Sequence, residues 1–250
     1  SSNLVQNGDF SEEGVQEVSN GSFTNGSTGW ITQYGTVNFA NNEAEFIGSS
    51  VIEQQSILTS GKTYKIVYEV SSIVGSPNFK LYDGSWFSVP STIGTHIVYR
   101  EISATTLYLR NDSSDNISIT NISVKEVGQN WNLDANWSIA EDKAVSDGSV
   151  NGFIRTSTNL FESGKTYKVG LTVSDMTTGR VTYPYDGTGL TYIYTNGDFS
   201  QIYTPDDTNI CWIYGSNGFD GSITNISIIE ITTDTSLPRI NYEGFSYQDA

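Results

Sequence analysis

The hexapeptide Ser-Gly-Lys-Thr-Tyr-Lys occurs twice in this chain, at residues 60–65 and again at 163–168. Two further motifs repeat at nearly the same offset of 103 to 104 residues: Tyr-Asp-Gly at 82–84 and 185–187, and Thr-Asn-Ile-Ser at 120–123 and 224–227. Self-similarity at a fixed spacing is the mark of a repeated structural unit. The sequence therefore predicts two copies of one domain.

The repeat sets the predicted domain boundaries. We expect one domain at 1–128, a second copy at 129–234, and a linker or the start of a further module at 235–250. The run that follows the repeated hexapeptide alternates apolar and polar residues, with Tyr64 and Tyr167 beginning the apolar face of each copy. Period-2 alternation broken by Gly, Asn and Ser clusters is typical of all-β sandwiches. We predict an all-β chain of two tandem antiparallel β-sandwich (jelly-roll) domains.

The net charge of the chain excludes some classes of binding partner. It carries 28 acidic and 12 basic residues, for a net charge of −16. Binding of phosphate backbones or anionic membranes needs clustered Lys and Arg, so we expect no nucleic-acid partner. No stretch of 18 apolar residues occurs, so we also expect no membrane insertion.

Few residues are suited to catalysis. His96 is the only histidine and Cys211 the only cysteine, which argues against a Ser-His-Asp triad, a His-based zinc site and a disulfide within the chain. Paired carboxylates for glycoside hydrolysis are not excluded by counting. However, only Asp83 and Asp186 occupy matched repeat positions beside aromatic residues. We predict that the chain is not an enzyme.

Aromatic residues that point outward are the more informative feature. In the run TLYLRN the two leucines alternate with Tyr108 and Arg110, and in CWIY the cysteine and isoleucine alternate with Trp212 and Tyr214. Because successive side chains of a strand point to opposite faces, the aromatic parity should face solvent. Large exposed apolar surfaces on soluble proteins usually bind something.

Carbohydrate suits such a surface, since sugar C–H faces stack on rings while hydroxyl groups bond to polar side chains. The candidate carbohydrate-binding residues are Lys80, Tyr82, Trp86, Tyr108, Arg110, Tyr183, Tyr185, Tyr192, Trp212 and Tyr214. The alternative is that these aromatics pair across strands only for stability.

The remaining tryptophans are interpreted as structural. Trp30 and Trp137 match at an offset of 107, which favours core packing, whereas Trp131 has no partner in the first copy and is placed between the domains. The first 29 residues hold two similar openings, LVQNGDF and VSNGSF, each ending at an Asn-Gly turn signal. The second copy lacks such an opening at its own start.

A family resemblance rests on these framework motifs. NGSFTNGSTGW, SGKTYKIVYEVSS and SITNISVKEV resemble the family 4/9 type of carbohydrate-binding modules, of the galactose-binding-like jelly-roll class, and the second copy looks like repeat units of bacteriophage tail and virion proteins. The resemblance implies a two-sheet jelly roll with its ligand on the concave sheet or at one end. It also implies a structural calcium ion near the N-terminal strand, where Asp9 would supply a carboxylate.

These observations lead to one functional prediction. We expect non-catalytic binding of a polysaccharide or cell-surface glycan by tandem modules, in an extracellular or virion-surface protein such as a phage tail adhesin. Two alternatives stay open. The modules are structural spacers of a fibre, assembled as a homo-oligomer, or they are the binding appendage of a polysaccharide-degrading enzyme.

Overall fold

The computed structural model describes residues 1–185 and 191–232, and all regular structure in these two ranges is β-strand. The strands form two curled antiparallel sheets that follow each other in the chain. The predicted fold, two tandem all-β sandwich domains, is confirmed. Within the described ranges there is no helix that could span a membrane.

Nine strands form the first sheet, called here the first module: β1 (Glu13–Gln16), β2 (Ile31–Ala40), β3 (Glu43–Gln54), β4 (Lys62–Val74), β5 (Phe79–Tyr82), β6 (Trp86–Ser88), β7 (Gly94–Ile102), β8 (Leu107–Asn111) and β9 (Asn116–Val127). Their order is β6-β5-β8-β3-β9-β4-β7, with β2 beside β3 and β1 beside β9.

In residues 129–185 and 191–232, eight strands form the second sheet, the second module: β10 (Trp131–Leu133), β11 (Trp137–Ala140), β12 (Lys143–Asp147), β13 (Gly152–Thr156), β14 (Tyr167–Thr182), β15 (Tyr192–Ile193), β16 (Gly197–Tyr203) and β17 (Trp212–Glu230). The main path is β10-β13-β17-β12-β11, and β14 pairs with β15, β16 and β17.

Long strands let each sheet fold over on itself. The first half of β3 pairs with β9 through Ala44–Phe46, whereas its second half pairs with β8 through Ser50–Gln54. Gly48 lies between the two halves with a φ of 61°, a conformation that favours glycine. One strand thus contributes to both layers of the sandwich and encloses the core between them.

The alternation after the repeated hexapeptide places the predicted residues in the two cores. The core-facing residues of β4 and β14 are all buried: Tyr64, Ile66, Tyr68 and Val70 in the first module, and Tyr167, Val169, Leu171 and Val173 in the second. Hydroxyl groups complete this packing, since Tyr64 accepts a hydrogen bond from the backbone N–H of Thr59 at 2.8 Å, and Tyr167 one from Glu162 at 3.0 Å. The repeated tyrosine therefore anchors the same turn in both copies.

The first opening of the chain packs on the second module. The backbone N–H of Leu4 donates to the carbonyl oxygen of Ile228 at 2.8 Å, and Asn3 forms an antiparallel β-bridge with Ile229 of β17. Val5 and Phe10 are buried in the second core. The boundary between 128 and 129 stays a prediction, but the opening at residues 3–10 contacts the far copy instead of its own neighbour in sequence.

Each opening closes one module in the same way. The indole N–H of Trp30 donates to the carbonyl oxygen of Asn20 at 3.2 Å, and that of Trp131 donates to the carbonyl oxygen of Asn7 at 3.0 Å. The rings pack at a tilt against equivalent phenylalanines, Trp30 against Phe23 with a centroid distance of 5.4 Å and Trp131 against Phe10 at 5.3 Å.

The structural counterpart of Trp30 is therefore Trp131, and the sequence match to Trp137 is wrong. Trp131 is buried in the second core, and it also lines a cavity with Lys62 and Glu126 of the first module, so it lies beside the junction of the modules. The core packing predicted for Trp30 and Trp137 is confirmed. The two openings also use matched glycines. A Cβ on Gly8 would lie 2.2 Å from the carbonyl oxygen of Ile226, so only glycine permits this approach. The predicted segment at 235–250 lies outside the described residues.

Candidate functional site

One layer of the first module presents aromatic and charged side chains on its outer face. Strand β8 lies between β3 and β5, and its outward residues Tyr108 and Arg110 alternate with buried leucines. Arg110 is opposite Lys80 on β5, and Tyr82 of β5 is opposite Trp86 of β6. The predicted parity of β8 is confirmed, and five of the candidate residues share one surface, called here the first face.

The three rings of the first face pack edge to face. Centroids lie 5.2 Å apart for Tyr82 and Trp86, 5.5 Å for Tyr82 and Tyr108, and 6.0 Å for Trp86 and Tyr108. The guanidinium carbon of Arg110 lies 5.2 Å from the Trp86 ring centroid, a cation–π contact. Each ring is half-buried by its neighbours, so the rings are held in fixed positions.

Charged groups line the edge of the first face. The carboxylate of Asp112 accepts from Lys80 at 2.7 Å and from Arg110 at 2.5 Å. The hydrogen bond from Lys80 lowers the pKa of Asp112, so the carboxylate is ionised at neutral pH. Glu53, opposite Tyr108 on β3, is 0 % exposed, and its Oε2 has no hydrogen-bond partner in the described structure.

The second module carries an equivalent surface, called here the second face. Trp212 and Tyr214 of β17 pair with Arg155 and Phe153 of β13. Phe153 stacks on Tyr214 with a centroid distance of 4.4 Å and an interplanar angle of 23°. It also contacts Tyr185 at 5.1 Å and Trp212 at 5.2 Å. Four aromatic side chains thus form one continuous platform.

Two residues of this platform, Phe153 and Arg155, are absent from the candidates drawn from the sequence. Arg155 lies over Trp212 with its guanidinium carbon 5.0 Å from the ring centroid, and it pairs with Asp134 at 2.7 Å. The strand register matches Phe153 with Val51 of the first module and Arg155 with Glu53. An offset of 102 residues, close to that of the hexapeptide, would have located them in the sequence.

The second face extends onto β14 and β15. Tyr192 and Tyr194 are 40 % and 59 % exposed, and Arg180 lies between them and the platform. The guanidinium carbon of Arg180 is 4.0 Å from the Tyr192 centroid, its Nε donates to Ser216 Oγ at 3.1 Å, and Nη1 donates to the Tyr194 hydroxyl at 3.5 Å. The predicted Tyr192 is therefore exposed and adjoins the other candidates of the second module.

The placement of Tyr183 on the binding surface is wrong. This side chain is 2 % exposed and belongs to the second core, where burial raises the pKa of its hydroxyl group. The physical reason is that Val181, Thr182 and Pro184 are buried as well, so both sides of this short run are covered and parity no longer separates inside from outside. Tyr185, two residues later, is half-buried and lies on the second face.

Asp9 lies in the turn of the first opening. Its carboxylate accepts a hydrogen bond from the backbone N–H of Ser11 at 3.2 Å, and its carbonyl oxygen accepts one from Thr224 at 3.2 Å. Calcium binds six to eight oxygen ligands. Residues 1–185 and 191–232 contain no group of three or more His, Cys, Asp or Glu side chains placed to hold a metal. A calcium ion at Asp9 stays a prediction.

A polar cavity of about 400 Å³ lies between the modules, and no residue of either aromatic face lines it. Asp83 lines it and pairs with Arg100 at 2.7 Å, and Trp137 and Ile139 line the opposite wall. The carboxylate that the repeat singled out beside aromatic residues is therefore an ion-pair partner at the junction of the modules.

Comparison with known proteins gives likeness of fold only. No family model and no curated protein matches the chain. Among solved structures, the chain is similar to the tandem CBM22-1–CBM22-2 domain of Xyn10C from Paenibacillus barcinonensis, with 12 % identity, a TM-score of 0.37, and coverage of 88 % of this chain and 99 % of that one.

Two further structures are similar at lower scores. Allantoicase from Saccharomyces cerevisiae has 8 % identity and a TM-score of 0.29 over 82 % of this chain and 92 % of that chain. The M60 catalytic domain of Clostridium perfringens ZmpB with its CBM51 domains has 8 % identity and a TM-score of 0.26 over 80 % and 37 %. Scores this low carry no argument about function. None of these three structures is a phage protein or a family 4/9 module.

Proposed function

We propose that the chain binds carbohydrate through its two aromatic faces and has no catalytic activity. The observation that carries this proposal is the recurrence of an outward aromatic cluster on equivalent strands of both modules, with Tyr108 in one and Trp212 in the other. A solvated sheet face needs no such cluster to fold, since antiparallel sheets commonly face water with polar residues.

The chemistry of the faces suits sugars. Each cluster is bordered by groups that donate and accept hydrogen bonds: Lys80, Arg110 and Asp112 on the first face, and Arg155 and Asp134 on the second. A pyranose ring presents a C–H face that stacks on aromatic rings and equatorial hydroxyl groups that reach such a rim. Fixed rings also lose little conformational entropy on binding.

The tandem arrangement favours a polymer over a single sugar. Two weak sites on one chain raise the avidity for a repeating ligand, because the second binding event is intramolecular. We therefore propose polysaccharides or cell-surface glycans as ligands, and an extracellular or virion-surface location, such as a phage adhesin, as the setting where these ligands occur.

A spacer function is the second candidate. It is favoured by the edge-to-face packing of the rings, since such pairs stabilise a sheet without any ligand. In a fibre, a neighbouring subunit would cover these faces.

The test is a binding screen of soluble polysaccharides and a glycan array with the parent protein, Tyr108→Ala and Trp212→Ala. Ile97→Ala and Ile202→Ala serve as matched controls, because both residues are exposed and lie on β7 and β16, away from the faces. We expect each face variant to weaken binding roughly 30-fold, the effect of truncating an aromatic anchor. Absence of any glycan ligand for a folded parent would favour the spacer function.

A further inference from the structure

Among the described residues, one cation on the second face has no carboxylate partner. The chain has 12 Lys and Arg residues, and Arg239 lies outside the described residues. Nine of the other eleven form ion pairs with carboxylates: Lys62, Lys65, Lys80, Arg100, Arg110, Lys125, Lys143, Arg155 and Lys165. Within the described ranges, Lys168 and Arg180 have no such partner, and only Arg180 lies beside the aromatic rings.

The sheet register places Arg180 on the same surface as the platform. Arg180 is opposite Ser216, and Thr182 is opposite both Tyr214 and Tyr192. Because residues two apart on a strand share a face, Arg180 points to the side that carries Tyr214 and Tyr192. Thr182 is buried beneath them, so the guanidinium lies at the outer level of the rings.

The guanidinium group of Arg180 is held in place, but only some of its hydrogen-bond donors are used. Its Nε is fixed by Ser216 Oγ, its plane is supported by the Tyr192 ring, and one Nη1 bond reaches the Tyr194 hydroxyl. An arginine side chain has five N–H donors, so three remain for a ligand. Their fork geometry matches a carboxylate, which can bind through two parallel hydrogen bonds.

The other arginines on the faces cannot offer this charge. Each of them already contacts a carboxylate: Arg110 pairs with Asp112, which it shares with Lys80, and Arg155 pairs with Asp134. A neutral sugar would find hydrogen-bond partners at either rim, whereas among the described face residues only Arg180 offers a sugar acid a guanidinium without a carboxylate partner. Because the chain has a net charge of −16, a cation without a carboxylate partner beside aromatic rings is selective for a local anion.

We infer that the second face binds an acidic polysaccharide, with a uronic acid ring stacked on the tyrosines and its carboxylate bound to Arg180. This inference rests on the proposed carbohydrate-binding function and assigns its ligand class.

The experiment compares ligands that differ only in the carboxylate. Polygalacturonate, alginate and glucuronoxylan are each tested beside their carboxyl-reduced forms, in which the carboxylate has become a primary alcohol. Binding is measured by isothermal titration calorimetry with the parent, Arg180→Gln, Lys168→Gln and Trp212→Ala, after circular dichroism has shown that each variant folds.

We expect the parent to bind at least one acidic polymer about tenfold or more tightly than its reduced form, the worth of one charge-assisted bidentate contact. Arg180→Gln should remove this preference while keeping the binding of the reduced form. Lys168→Gln, which removes an unpaired cation away from the rings, should leave the preference unchanged.

The outcomes separate this inference from the proposed function. Equal binding of acidic and reduced forms by the parent would overturn the inference and leave carbohydrate binding in place, provided that Trp212→Ala weakens both. A parent that binds no polymer in either form would overturn both. Asp186 follows Tyr185 and lies outside the described residues, so Asp186→Asn is included. An acid preference that exists only in that variant would also overturn the inference.

Discussion

The two aromatic faces occupy the same strands of the repeat but differ in what surrounds their rings. In the first module the positions opposite Arg110 and Tyr108 are Val51 and Glu53, and the central rings pack edge to face. In the second module the same positions are Phe153 and Arg155, and Phe153 stacks flat on its neighbour. The first face therefore has three rings, and the second has a wider platform with arginines at two of its edges.

The cores do not differ in this way. Ile52 and Ile154 are both 0 % exposed at matched positions of β3 and β13, and Leu109 of β8 is matched by Ile213 of β17, both buried. Packing restricts the inward side chains, because a close-packed core tolerates few changes of volume. The outward side chains are free of this restriction, so the two faces can differ in ligand while the sandwich stays the same.

The largest effect on stability should follow from removing the phenylalanine through which each opening packs into its module. Phe10→Ala removes a buried ring from the second core, and Phe23→Ala removes its counterpart from the first. We expect each to cost about 3–5 kcal/mol of unfolding free energy, the usual range for a buried Phe→Ala change. Hydrogen exchange with mass spectrometry should show faster exchange in the second module for Phe10→Ala and in the first for Phe23→Ala.

The control for this pair is the protein with Val15→Ala, an exposed residue between the two openings, which should leave both exchange patterns unchanged. Faster exchange in the first module on Phe10→Ala would contradict the placement of the opening.

The sequence predicted the scaffold better than the connection between its parts. Alternation and the repeated hexapeptide located the core-facing residues of β4 and β14, since each local pattern is also satisfied in three dimensions. Which core receives Phe10 is a question of tertiary contact between residues more than 100 positions apart. Both modules bind an opening of the same sequence type, and no local sequence pattern indicates which opening packs into which core.

The residues of the two faces could be predicted from the sequence only in part, because some of them are brought together by contacts between distant strands. Parity identified Tyr108, Arg110, Trp212 and Tyr214, because buried residues alternate with them on regular strands. It failed at Tyr183, where the run beside Pro184 is covered on both sides. Arg180 was not identified, because its place beside the rings depends on the pairing of β14 with β17 and β15.

Substitutions at the matched positions Glu53 and Arg155 should have smaller effects on the unfolding free energy, and the two effects should have opposite signs. Glu53→Gln removes a buried carboxylate whose Oε2 has no partner, so we expect it to raise the unfolding free energy by about 1 kcal/mol. Arg155→Gln, at the matched position, removes a partly exposed ion pair with Asp134 and should lower it by about 0.5 kcal/mol. Chemical denaturation of both variants measures the two signs.

The same pair tests the role of Glu53 in binding. A folded Glu53→Gln variant that loses glycan affinity would mean that this buried carboxylate holds Tyr108 in position for the ligand, and the comparison of the two faces would have to include it.

The smallest effect should appear in the pH dependence of the first module. Hydrogen bonds from Lys65 and Lys125 lower the pKa of Glu13, which ties β1 to β4 and β9. A lowered pKa in the folded state stabilises the module above the unfolded value of about 4.3, and this contribution is lost as pH falls through the folded value. Because the pair is partly exposed, we expect about 0.5 kcal/mol.

Denaturation of the parent and Glu13→Gln at pH 7 and pH 3 measures this contribution. The variant should be less stable than the parent at pH 7 and nearly equal to it at pH 3. A difference that is the same at both pH values would show that the ion pairs contribute nothing.

The central claim is that both faces bind one polymer, and the double variant Tyr108→Ala/Trp212→Ala tests it most directly. Its affinity for the polysaccharide that the parent binds best should be measured by titration calorimetry beside the parent and each single variant. We predict that the double variant loses at least about a hundredfold in affinity, more than either single variant, because avidity is lost together with both anchors. A folded double variant that binds as tightly as the parent would contradict the account.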